Sequence, residues 1–191
     1  MLKPKKYKNM ELSLEQKEKN YSLFINKLQT VGVDTIELEN NLKKEIIDAT
    51  YGINNFIGVS GEGTLLHVVL RVLTPLAIKV AELTNNQENI KQETLIKVCL
   101  LSHLSKAQMF KKNENDNTYG YAPYPYAIRM GLRSVALCQK FNINLTEEEI
   151  EAFTIIDSDS EDEYKKFYSS PLANIIKIAN DLTNLQLKKK K

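Results

Sequence analysis

The sequence predicts an all-α fold, and three observations carry that reading. Apolar residues recur at three- and four-residue spacing through most of the chain, which places them on one face of a helix. Residues that open helices stand just ahead of those runs: Ser13, Thr64, Thr146 and the pair Ser170-Pro171. No segment shows a convincing strand alternation, and no internal repeat emerges.

Ser13 opens the first helix, which Leu14, Tyr21, Phe24, Ile25 and Leu28 carry to about Val31. Thr35 starts the second, with Ile36, Leu38, Leu42, Ile46 and Ile47 on one side. The stretch Gly52 to Gly63 holds four of the seven glycines and reads as a loop. Thr64 is expected to cap a third helix to about Leu83. Leu65, Leu66, Val68, Val69, Leu70 and Leu73 leave it almost no polar face, so it is expected at the centre of the fold. Pro75 should kink or divide it.

Asn85 to Asn89 reads as a loop, and a second apolar helix is expected from about Gln92 to Met109. Lys111 to Pro125 reads as a long polar and aromatic loop, with Tyr119, Tyr121, Tyr124 and Tyr126 close together. A helix is expected from about Ala127 to Phe141. Thr146-Glu147-Glu148-Glu149 reads as a capping box opening a short helix to about Ile156. Asp157 to Glu163 reads as an acidic, solvated loop, and a last helix runs from Ser170-Pro171 to about Leu187.

With 191 residues the chain has room for one domain with a sizeable core. The expected division is a basic tail at 1–12, an all-helical domain at 13–187 and a lysine tail at 188–191. The net charge is +2, with both signs mixed along the chain. Lys3, Lys5, Lys6 and Lys8 at one end and Lys188 to Lys191 at the other raise the isoelectric point and read as solvated tails. Only Tyr7 interleaves the first cluster, so a nucleic-acid partner is not expected. Cys99 and Cys138 fall among apolar residues and are expected as buried, reduced thiols. Met1 to Asn20 is charged and reads as no leader peptide. No apolar run is expected to reach the length needed to span a bilayer. A cytoplasmic location without a membrane partner is the expectation.

Residues 99–106 read Cys99-Leu100-Leu101-Ser102-His103-Leu104-Ser105-Lys106. This octapeptide resembles the signature of the HD-domain metal-dependent phosphohydrolases, in which two apolar residues precede an adjacent His-Asp pair, then Leu, a small residue and Lys. Here Ser102-His103 fills the His-Asp slot. The resemblance extends from about Phe56 to Leu185. The stretch Ile128-Arg129-Met130-Gly131-Leu132-Arg133-Ser134-Val135 is similar to a Gly-His-Gly-Glu-Lys-Ser type motif. Gly131 and Ser134 fit, and Arg133 keeps the positive charge, but Met130 stands at the histidine position. Leu145 to Ala152 also fits, with an apolar residue near Ile156 where a histidine is expected. Ala179-Asn180-Asp181 stands where the family has an Ala-Asp pair.

The resemblance implies a helical HD-type fold and predicts that the chemistry is lost. Enzymes of that kind hold divalent metals with several imidazole and carboxylate ligands, and the metal lowers the pKa of bound water. This chain has two histidines, His67 and His103. At the aligned ligand positions it offers Ser102, His103, Met130, Asn180 and Asp181, and thioether and apolar side chains do not bind a hard ion. No resident metal or other cofactor is expected.

The leading expectation is therefore a non-catalytic binding or regulatory module. Its old cleft either holds a nucleotide or other phosphate through Lys106, Arg129 and Arg133 or has closed. A first alternative is an active phosphohydrolase with a rebuilt site using His67, His103, Asp157 or Asp181 and a divalent metal. A second is a protein–protein module, or homo-oligomer, built around the tyrosine loop. Each residue also has an ordinary structural role open to it: His67 and His103 as structural histidines, Lys106 as a helix-surface lysine, and Gly61-Glu62-Gly63-Thr64 as an ordinary start of a helix.

Overall fold

The computed structural model describes residues 12–52, 59–86, 88–113, 115, 118–123, 129–156 and 169–187. The basic segment at 1–11, the acidic stretch 157–163, Tyr124, Tyr126 and the lysine tail lie outside them. Helices dominate, and among the described residues the fold is all-α apart from one short hairpin.

Helix α1 spans Leu14–Thr30 and is capped as expected by Ser13. The cap is reciprocal: Ser13 Oγ accepts from the Gln16 backbone N–H at 3.2 Å, and Gln16 Oε1 accepts from the Ser13 N–H at 3.0 Å. Helix α2, Ile36–Asp48, buries Leu38, Leu42, Ile46 and Ile47. Ile36 departs from the expected stripe and is 63% exposed. It precedes Leu38 by two residues, which carries it roughly 200° round the helix axis to the far side.

Helix α3, Thr64–Val68, runs through a π-helical turn at Val69–Leu73 into α4, Thr74–Leu83. Gly63 caps it with φ 75°, so Thr64 is the first helical residue and not the cap. The expected division occurs one turn ahead of Pro75. Pro75 has no N–H to give, and the wide turn absorbs the gap. The Thr74 hydroxyl donates to the Val69 carbonyl at 2.7 Å inside it. Contrary to the sequence expectation, Thr64–Leu83 is long and apolar enough to cross a bilayer: 20 residues with a mean hydropathy of 1.6. Yet 61% of that window is buried inside the fold, as a central helix requires.

The apolar helix expected from Gln92 to Met109 is two helices. Helix α5 ends at Leu101, residues 102–105 form tight turns, and α6 is Lys106–Met109. The cause is a diverted donor: the Ser105 N–H goes to Ser134 Oγ at 3.1 Å. The N–H groups of Leu104, Lys106, Ala107 and Gln108 reach back three residues, the tighter 3₁₀ pattern.

The expected loop contains an antiparallel hairpin, β1 (Phe110–Lys112) with β2 (Tyr119–Tyr121), pairing Phe110 with Tyr121 and Lys112 with Tyr119. Strands of three residues are too short to show alternation. Helix α7 spans Met130–Lys140 and starts later than Ala127. Helix α8, Glu147–Ile155, carries the expected capping box between Thr146 and Glu149. Helix α9, Pro171–Leu187, starts where Ser170 Oγ accepts the Ala173 N–H at 3.3 Å.

Helix α9 packs along α4 and α8, α7 packs on α8, and α1 packs on α2, α3 and α5. The buried apolar residues form one cluster. Gly131 sets the α7–α8 approach: a Cβ there would sit 1.9 Å from the Phe153 carbonyl oxygen.

Candidate functional site

The α5–α6 break turns a polar set inward. Ser102, His103, Ser105 and Lys106 are all buried there. Tyr51, which follows α2, is 0% exposed and packs against them.

His103 is held on three sides. Its Nδ1 lies 3.1 Å from Ser102 Oγ, and its Nε2 lies 3.2 Å from Asn180 Oδ1 on α9. An amide oxygen only accepts, so Nε2 carries the proton and Nδ1 accepts from the Ser102 hydroxyl. The Tyr51 ring stacks on the imidazole, with centroids 5.5 Å apart and planes at 23°. Burial holds the His103 pKa well below its ordinary value, the nearby Lys106 ammonium lowers it further, and the Asn180 hydrogen bond opposes both.

Lys106 is only 5% exposed. Its Nζ donates to the Tyr51 carbonyl at 2.7 Å and lies 3.6 Å from the Tyr51 ring centroid, a cation–π contact. Tyr51 is thus engaged by its carbonyl and its ring. Its N–H donates to Thr64 Oγ1 at 3.0 Å and its hydroxyl to Asn184 Oδ1 at 3.3 Å. Burial pushes its phenol pKa up. Thr50 completes the support: its Oγ1 accepts the Gly61 N–H at 3.1 Å and donates to the Gly52 carbonyl at 2.8 Å.

The structure brings together three of the aligned ligand positions, Ser102, His103 and Asn180. Met130 offers its backbone instead, its carbonyl accepting from Ser105 Oγ at 3.0 Å. Asp181 is exposed and pairs with Lys177 at 3.0 Å. Arg133 is buried on α7, whereas Arg129 is exposed at the start of that helix. Ile156 is buried, and Asp157 lies outside the described residues. His67 is half-buried on α3, with a pKa lowered by burial and by Arg71. It makes no hydrogen bond to this cluster among the described residues. Among those residues no three His, Cys, Asp or Glu side chains converge as a metal centre would need.

Sequence reasoning missed Tyr51, Thr50 and the acceptor role of Ser134. Nothing local marks Tyr51, since His103, Lys106 and Asn184, which engage its ring, carbonyl and hydroxyl, lie more than fifty residues further along the chain.

A second charged set, of which only Lys17 is buried, ties the N-terminal helices to the hairpin. Lys17 Nζ reaches Asp48 at 2.7 Å and Glu62 at 3.1 Å, and Glu62 also meets Lys112 at 2.9 Å. Burial works against the Lys17 charge, but Asp48 and Glu62 outweigh it and raise its pKa. Lys112 and Lys17 lower that of Glu62. Cys99 and Cys138 are buried free thiols, each pushed up to about 12 by burial, which makes them inert as nucleophiles at neutral pH.

No family model, curated protein or solved structure matches this chain.

Proposed function

We propose that the chain is a non-catalytic helical module of HD-like layout, acting by binding or regulation and without metal-dependent hydrolase activity. One observation carries the reading. The residue in the His-Asp slot, His103, meets the residue aligned with the family's second acidic position, Asn180, 77 positions away. That proximity is what the resemblance would ask of a metal site, and it supports the reading because the donors are spent on one another. Ser102, His103 and Asn180 supply one imidazole and neutral oxygens, a weak set for a hard divalent ion.

The same geometry favours a closed cleft over a retained phosphate site. Lys106 is committed to the Tyr51 carbonyl and ring, so meeting an outside phosphate means leaving both. Arg129, at the exposed start of α7, is the group of the proposed trio still facing solvent.

A second reading, a protein–protein module, is favoured by Tyr121. It is 69% exposed on the hairpin and leans on Phe110 with ring centroids 5.5 Å apart, as an aromatic anchor would.

Elemental analysis of the purified protein, paired with a phosphatase screen on nucleotides with added Mn²⁺ or Mg²⁺, tests the proposal. No bound metal and no turnover are expected. Stoichiometric metal with turnover that His103→Ala abolishes would overturn it.

A further inference from the structure

The hairpin has two backbone edges, and its hydrogen-bond parity decides which groups they carry. In an antiparallel pair, opposed residues alternate between those that exchange both bonds and those that turn their N–H and C=O outward. The Ala122 N–H donates to the Met109 carbonyl and the Asn113 N–H to the Thr118 carbonyl, each at 2.8 Å. These bonds bracket the opposed pairs Phe110–Tyr121, Lys111–Gly120 and Lys112–Tyr119. The bonded pair between them is therefore Lys111–Gly120. Phe110 and Lys112 turn their backbone groups out from β1, and Tyr119 and Tyr121 turn theirs out from β2. None of these outward groups meets a backbone partner beyond the hairpin among the described residues.

The two edges differ. β1 carries Lys111 and Lys112, and lysines on an edge strand oppose the addition of another strand. β2 is Tyr119-Gly120-Tyr121 and carries no charge. Among the described elements it packs closely on β1 alone. Tyr121 is 69% exposed. Gly120 is exposed too, and a Cβ there would meet nothing within 4 Å.

The β2 sequence reads the same in both directions, which selects one occupant for its edge. A two-fold axis beside Gly120 sets Tyr119 opposite Tyr121 of a second copy, and Tyr121 opposite Tyr119. Both residues of each such pair turn their backbone outward, so each pair exchanges both of its bonds. Each is also a cross-strand aromatic pair. The two Gly120 residues fall in the non-bonded pair, where Cα atoms approach to about 4.5 Å, and neither has a side chain to obstruct it. Pro123, the next residue of outward parity, has no N–H to give and ends the edge.

We propose that β2 pairs antiparallel with β2 of a second copy of this chain, joining the two hairpins into one sheet. The two-fold contact closes on itself, and the lysines of β1 guard the outer edges of the joint sheet, so assembly stops at the dimer. This names the partner for the protein–protein reading of the hairpin and rests on that reading; it is independent of the HD-like one.

Disulfide trapping in the full-length chain tests it, with the native thiols Cys99 and Cys138 buried out of reach. Gly120→Cys sets two thiols across the axis, within the Cα separation a disulfide spans. Lys111→Cys is the control. It is as exposed as Gly120 and directly opposite it, but one strand further from the axis, so two such positions stand about 14 Å apart. Under mild oxidation Gly120→Cys is expected to give covalent dimer at several-fold the yield of Lys111→Cys. Adding Tyr121→Pro should cut that yield several-fold, since it removes an outward N–H and leaves the hairpin's own ladder intact. Sedimentation velocity of the wild type should show a reversible, concentration-dependent dimer. Equal yields at the two positions, or a wild type that is monomeric at every concentration, would overturn the pairing. A dimer that Tyr121→Ala dissociates but Gly120→Cys does not trap would overturn the strand pairing and leave the protein–protein reading standing.

Discussion

The ring of Tyr51 lies on the imidazole of His103, with centroids 5.5 Å apart, and places its own carbonyl 2.7 Å from Lys106 Nζ. One aromatic residue therefore occupies both the face of the histidine and the lysine of the signature octapeptide. Tyr51→Ala is expected to destabilise the fold by about 3–5 kcal/mol, the usual cost of emptying a large aromatic site. Tyr51→Phe removes only the bond to Asn184, at about 1 kcal/mol. Urea unfolding of both variants checks the order, and equal losses would contradict it.

His103 makes stability depend on pH in a defined direction. Its pKa is depressed in the folded state, so the folded protein binds fewer protons than the unfolded chain. The contribution is fully present above the ordinary value of 6.5 and is lost as the pH falls from there toward the folded value. The expected slope is at most about 1.4 kcal/mol per pH unit from this group. His67, also depressed, adds in the same sense. Unfolding midpoints at pH 7.5 and 5.5 should differ in the wild type and differ less in His103→Gln. An NMR titration in which the His103 imidazole titrates at 6.5 would refute the assignment.

Gly131→Ala should be among the most damaging single-methyl changes in the chain. The added Cβ meets the Phe153 carbonyl oxygen at 1.9 Å and its carbon at 2.7 Å. Backbone cannot rotate away as a side chain can, so α7 and α8 must part. A loss of about 3 kcal/mol, at the upper end for overpacking, is expected. Thermal unfolding by circular dichroism measures it.

Lys97 holds the other end of α8. It pairs with Glu149, 3% exposed, at 2.7 Å and donates to the Asn144 carbonyl at 2.7 Å. Lys97→Met leaves a buried carboxylate without its cation and should cost about 3 kcal/mol. Adding Glu149→Gln should recover part of that loss, because the stranded charge is gone and the capping bond to Thr146 at 2.9 Å can be kept by an amide oxygen. A double-mutant cycle decides between coupled and additive effects.

The helices were legible because their signals are local. Ser13, Thr146 and Ser170 act as caps through bonds spanning three residues, which a reader of the sequence can see. The site was legible only in part. His103 and Asn180 were singled out, and they meet. Lys106 was open to a helix-surface reading because a lysine on its own is solvated. The carbonyl and ring that bury it belong to Tyr51, fifty-five positions earlier. The α5–α6 break was hidden for a related reason, since the hydroxyl that captures the Ser105 N–H belongs to Ser134, on another helix.

The π turn at Val69–Leu73 lets the central helix carry a residue for which an unbroken α-helix has no room. Its hydrogen bonds reach one residue further than those of an α-helix, so its five residues turn through about the angle that four would cover at about 100° each. Beyond the turn, Ala77 and Val80 are buried while Pro75 and Lys79 are exposed. A one-residue deletion within 69–73 that restores a regular helix should therefore leave those faces where they are. The same deletion within 76–80, with no wide turn to take it up, would rotate everything after it by about 100°. The wide turn makes the central helix tolerant of a change in length at its middle, where a regular helix would not be.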